Sequence, residues 1–223
     1  MNAGWAAVDD YIGAHLIGRD EALDAALAAN AAGGLAAIDV SAAQGKMLHL
    51  FARMAGAKRI LEVGTLGGYS TIWLARALPE SGQLVTLELE PHHAEVARRN
   101  IAAAGLADRV DVRTGPAIET LDAMIAAGEG PFDFVFIDAD KPSNVAYLRA
   151  AIALGRPGTT IVVDNVVRDG GVLDADNVDP SIQGTRGLFE AVAAELRLSA
   201  TAVQTVGDKG WDGFLLAILG RAG

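Results

Sequence analysis

Apolar positions along the chain fall into two regimes. Up to about residue 55 they recur at helical spacing. Trp5, Val8, Tyr11, Ile12, His15 and Leu16 share one face, and Glu21–Ala32 is an alanine-rich segment closed by Gly33 and Gly34. Ser41 is placed to cap Ala42–Ala55, where Met47, Leu48, Leu50, Phe51 and Met54 make an apolar stripe. Residues 5–55 are therefore expected to be helical throughout. Beyond them, short apolar runs alternate with helical stretches. Ile60, Leu61 and Val63 suit a strand buried on both faces, and Tyr69–Leu78 follows as a helix. The pattern repeats as strand Leu84–Leu89, helix Pro91–Ala104, strand Arg109–Arg113, helix Pro116–Ala127, strand Phe132–Ile137, helix Pro142–Leu154 and strand Thr160–Val163. A helix over Gly184–Leu196 ends the alternation. Ala200–Val206 and Phe214–Leu219 are then two strands joined by Gly207–Gly213, too short for a crossover, so they pair antiparallel at one edge.

Repeated βα units with helices on both faces give an α/β fold: a doubly wound, mostly parallel seven-stranded sheet with an antiparallel edge hairpin and N-terminal helices. The 223 residues are read as a single domain, with helices over 1–57 and an α/β core over 58–223. Arg168–Gln183, rich in Gly and Asp, is the longest irregular stretch and sits where a lid or substrate loop would.

A composition 51% hydrophobic and 21% charged describes a globular chain rather than a disordered one. The net charge of −10 argues against a nucleic-acid partner, which needs a basic face. With no cysteine there are no disulfides, thiolate zinc sites or cysteine nucleophiles. The first residues, MNAGWAAVDD, show neither a basic leader nor a long apolar core, so no membrane association is expected and the cytoplasm is the default location.

The candidate chemistry gathers around Ile60–Ser70, ILEVGTLGGYS. Gly64, Gly67 and Gly68 bridge a strand end and a helix N-terminus, the crevice where open parallel sheets bind ligands. Glu62 lies just before this loop. Glu88 ends the next strand, two dozen residues beyond Gly64, where it either accepts from ribose hydroxyls or faces solvent. The loop lacks the G-x-G-x-x-G spacing, which weakens a nicotinamide cofactor and its pyrophosphate. Asp138, Asp140 and Lys141 follow the fourth strand, and Asp164 and Asn165 the fifth. On neighbouring strand ends, Asp138, Asp164 and Asn165 offer hard oxygen ligands for a magnesium-like site, whereas any acid there alone is usually a helix cap. Lys141 is a base if a cation lowers its pKa, or else the partner of Asp140. His15 and His49 read as core or surface residues, and His92 and His93 as exposed ones.

Together these residues resemble the metal-dependent class I O-methyltransferases that use S-adenosylmethionine, the group of catechol and caffeoyl-CoA O-methyltransferases, especially its small bacterial members. The likeness runs from about Trp5 to Leu219 through SAAQGKML, ILEVGTLGGYSTIWLA, DADK, VDNV and GDKGWDGFLLA. It implies that Glu62, Gly64 and Ser70 hold the methionine part of the cofactor, that Glu88 takes the ribose, and that Ala117 gives a backbone contact near the adenine. Asp140 would be a further cofactor contact, and Val40 and Gln44 would close over the sulfonium end. Asp138, Asp164 and Asn165 would bind the cation (Mg2+, with Ca2+ or Mn2+ as alternatives), Asp138 also touching the cofactor and sharing the catalytic role with Lys141, the proposed base. Arg168, standing where the plant enzymes carry an aromatic substrate contact, and Trp211 would border a phenolic substrate. The resemblance further implies a homodimer. A nicotinamide oxidoreductase and a non-catalytic cofactor-binding protein are the alternatives.

Overall fold

The computed structural model describes residues 3–221. Strands β1 (Arg59–Val63), β2 (Gln83–Glu88), β3 (Val110–Thr114), β4 (Phe134–Ile137), β5 (Thr160–Asp164), β6 (Leu198–Gly207) and β7 (Gly210–Leu219) form one sheet, ordered β3-β2-β1-β4-β5-β7-β6. The first five are parallel, and β7 runs antiparallel to both β5 and β6. The order reverses between β1 and β4, which opens a crevice above their C-terminal ends.

The apolar strand runs are divided between two cores by the alternation of side chains. Ile60, Leu84, Phe134 and Phe136 face α2 (Glu21–Ala32), α3 (Ala42–Met54), α4 (Tyr69–Ala75) and α5 (Pro91–Ala103), meeting Leu23, Leu48, Ile72 and Ile101. Leu61, Val135, Ile137 and Val163 face α6 (Ala117–Ala126), α7 (Asn144–Leu154) and α8 (Pro180–Ala194), meeting Leu121, Met124, Leu148 and Leu188. Each such side chain, removed from water, stabilises the fold by roughly 1.5–3 kcal/mol. Every residue of α4 is buried, so the helix that follows the glycine loop is held on all sides. Among the described residues no helix is long and apolar enough to cross a membrane.

The sheet and its antiparallel edge are as the hydrophobic pattern predicts; several boundaries are not. Residues 5–55 are not helical throughout: α1 (Ala3–Ile12) passes into a π-helix (Gly13–Ile17), and residues 33–41 run as an irregular segment. Helix α4 stops at Ala75 rather than Leu78. The expected connection Gly207–Gly213 is mostly strand, because β6 and β7 pair as far as Gly207 and Gly210, leaving Asp208 and Lys209 as the turn. Helix α8 starts at Pro180, with Asp179 accepting from the Ser181 amide, and Arg168–Leu173 forms 3-10 turns. Gly170 and Gly171 hid the turns, and Pro180, which suits a first helical turn, read as part of the loop before α8.

Candidate active site

Above the crevice lies a cavity of about 940 Å³, within the usual size of small-molecule sites. Its floor is the β1 loop. Gly64 has φ +98°, and a Cβ there would stand 2.0 Å from the Asp138 carbonyl oxygen, so only glycine lets the β1 and β4 ends approach this closely. Thr65 and Leu66 then donate their N–H groups to Glu88 Oε2 at 3.1 and 2.7 Å, and Glu90 N–H donates to Oε1 at 3.0 Å. The 7% exposed carboxylate is thereby fixed at the cavity wall, with His93 Nδ1 3.5 Å from Oε1.

Glu62 behaves differently. It is fully buried and does not line the cavity. Its carboxylate accepts from Ser70 Oγ at 2.6 Å, Thr71 Oγ1 at 2.5 Å and Thr86 Oγ1 at 2.7 Å. Burial pushes its pKa up to about 7 against those three hydroxyls. Glu62, expected to hold the methionine part of a cofactor, stands behind Ser70, which does face the cavity, and sets the position of that hydroxyl.

At the adjoining ends of β4 and β5, Asp138, Lys141, Asp164 and Asn165 all line the same cavity. Lys141 donates to Asp138 Oδ1 at 2.8 Å, not to Asp140. Asp140 instead accepts from the Tyr147 hydroxyl, whose pKa is raised by burial and by that carboxylate. Asp164 is 4% exposed, and its proton affinity is raised by burial and then by the Asp138 charge, against Lys141, the Asn165 N–H and the Gln44 side chain. The buried Asp164 carboxylate, costly to charge beside Asp138 and next to an amide oxygen donor, suits a hard cation. Nowhere among the described residues do three carboxylate or imidazole groups converge, so any oxygen set here is two aspartates completed by Asn165.

Val40 and Gln44 close one side of the cavity, and Ala117 the end beside Pro116 and Ile118. Ser41 caps α3 by accepting from the Gln44 amide at 3.2 Å, which fixes that segment against the site. Arg168 reaches the cavity with φ +55°. Trp211 does not line it: its indole packs over Gly170 and donates to Gln204 Oε1 at 3.0 Å. Sequence reading missed Thr86, which only the β1–β2 register sets beside Glu62, Thr71, which the first turn of α4 brings to the same carboxylate, and His93, whose side of α5 the helix start does not reveal.

A family model described as O-methyltransferase matches residues 19–217. The chain belongs to the O-methyltransferase family. It is 55% identical, over 95% of its length and 94% of the relative's, to a catechol O-methyltransferase of Mycobacterium tuberculosis. To one of Niastella koreensis it is 51% identical, over 96% of each chain. Among solved structures, the O-methyltransferase from Bacillus cereus in complex with SAH superposes with a TM-score of 0.97 at 53% identity, covering 98% of this chain and 100% of that one. TomG from Streptomyces achromogenes, in complex with SAM, gives 0.95 at 48% identity over 98% of each chain.

Proposed function

We propose that this O-methyltransferase moves the methyl group of S-adenosylmethionine to one hydroxyl of a vicinal diphenol, with a divalent cation, most simply Mg2+, at Asp138, Asp164 and Asn165. The observation that carries the reading is the meeting, in one cavity, of the Glu88-braced glycine loop with the two aspartates and the amide at the β4 and β5 ends. When bound, the cation makes the phenolic hydroxyl more acidic and the sulfonium supplies the methyl. Glu88 accepts from the ribose, Ser70 and Gly64 receive the methionine part, and the Ala117 backbone borders the adenine. Gln44 and Val40 exclude water from the reacting end. Lys141, 7% exposed and held at Asp138, would take up the phenolic proton in its neutral form, which a cation drawing on the Asp138 carboxylate would favour. Such enzymes are proposed to act here as homodimers. A nicotinamide oxidoreductase fits less well, because the loop offers its amides to Glu88 and not to a pyrophosphate.

Holding nucleophile and methyl in a near-attack pose is worth about 7–11 kcal/mol, whereas a general base contributes about 10²–10⁴-fold. Positioning therefore dominates. Asp138→Ala and Asp164→Ala are expected to lower kcat/KM on catechol more than Lys141→Ala does, and EDTA to abolish turnover that added Mg2+ restores. Turnover indifferent to EDTA, or a larger loss in Lys141→Ala, would refute this reading.

A further inference from the structure

Three lysine or arginine side chains line the cavity: Lys141, Arg168 and Lys209. Lys141 is held by Asp138, and Lys209 reaches the Ala37 carbonyl at 3.5 Å and acts on the Asp39 carboxyl. Arg168 has no acceptor among the described residues, and its Nε is buried without one. The terminal nitrogens, equally without an acceptor but not enclosed, are the donors that a ligand in the cavity can meet.

The backbone makes the same point independently. Arg168 and Asp169 both take positive φ, +55° and +52°, a region that glycine enters freely and other residues seldom do. Glycines follow at Gly170 and Gly171, yet position 168 carries the long cationic side chain. Asp212 Oδ1 on β7 enforces the turn by accepting from Val167 N–H at 2.9 Å and Arg168 N–H at 3.0 Å. The Trp211 ring closes the far side, where a Cβ on Gly170 would come within 2.9 Å of it. Strain of this kind persists where the surroundings over-determine it, and such places cluster at ligand contacts. The wall also carries six carboxylates, Asp39, Glu88, Glu90, Asp138, Asp140 and Asp164, which repel any anion that enters without a matching cation.

We propose that Arg168 is a specificity residue that receives a carboxylate on the phenolic ring, so that the preferred acceptors are vicinal diphenols bearing a carboxylate substituent. This rests on the O-methyltransferase reading above. The planar guanidinium presents parallel N–H donors that match a carboxylate, and the partly sheltered cavity keeps the pair from full screening.

The test compares 3,4-dihydroxybenzoate with catechol in the full-length enzyme with S-adenosylmethionine and Mg2+. The wild type is expected to favour the acid in kcat/KM, and the ratio of the two values to fall about tenfold or more in Arg168→Ala, chiefly through KM. Arg168→Lys, which keeps the charge and loses the fork, should lie between them. The same ratio is read as Kd by titration calorimetry in the presence of S-adenosylhomocysteine and Mg2+. A wild type that methylates neither compound sinks the proposed function, while the calorimetric ratio still judges Arg168. A kcat/KM or Kd ratio unchanged by Arg168→Ala overturns the specificity role. So does a wild type that prefers catechol.

Discussion

Glu62 is the residue at which burial and hydrogen bonding compete most openly. Burial holds its pKa near 7, while Ser70, Thr71 and Thr86 pull the other way and Asp138 adds to the rise. The folded chain therefore binds this proton more tightly than the unfolded chain, whose glutamate titrates near 4.5. Stability from this group is complete below that pH and is lost as pH climbs to about 7, by about 1.4 kcal/mol per unit and about 3 kcal/mol across the window. Glu62→Gln removes the titration, so the difference in unfolding free energy between wild type and variant should change by that order between about pH 5 and pH 8. A difference flat over this range would mean the three hydroxyls win. The sequence showed a carboxylate before a glycine loop but not its orientation, because a strand residue can face either side of the sheet. Thr86, its direct neighbour on β2, is what makes the inward position tenable. Acids at strand ends, Asp138 and Asp164, were legible because their place follows from topology alone.

At the scale of elements, the segment after β5 depends on the edge hairpin. Asp212, on β7, accepts from the amides of Val167, Arg168 and Gly213 through one oxygen, so the hairpin sets the cavity wall. Losing an ionised acceptor of this kind costs about 1–3 kcal/mol locally. Asp212→Ala should therefore speed amide exchange at Val167 and Arg168 by about tenfold or more, and leave protection in β1 and β4 as it was. Asp212→Asn, which keeps an acceptor oxygen, should retain most of the protection. Equal exchange in Asp212→Ala and wild type would show that Trp211 packing alone holds the turn. None of this was visible beforehand, because the Asp212 bonds join residues 44 and 45 positions apart, and local propensity in a Gly- and Asp-rich stretch points to loop. Helix α3 was the opposite case: Ser41 and the Met47–Phe51 stripe announce it, and its cap bond is present.

For the whole molecule, alternation of apolar runs and helical faces was enough to read the sheet, since each βα unit admits essentially one handedness and buried parallel strands leave a continuous apolar signature. The outer surface of the N-terminal helices carries a second signal. Tyr11 is 66% exposed, Leu16 73% and Met54 81%, on α1, the π-helix that continues it, and α3. Leu50 adds to the α3 side. The π-helix packs against α3, so these exposed apolar side chains lie on adjoining elements, although the chain carries 28 acidic residues with which to cover them. An isologous contact across this face would bury the same side chains twice, which favours a symmetric pair over an open chain. The proposed homodimer should then sediment at the mass of two chains at micromolar concentration. Leu16→Glu together with Met54→Glu should shift it to one, because each introduced carboxylate would lose its water on association. The double variant should also keep its far-ultraviolet spectrum, since both side chains are solvent-exposed in the single chain. A wild type sedimenting as one chain at that concentration, or a variant that still pairs, would remove these helices from the interface.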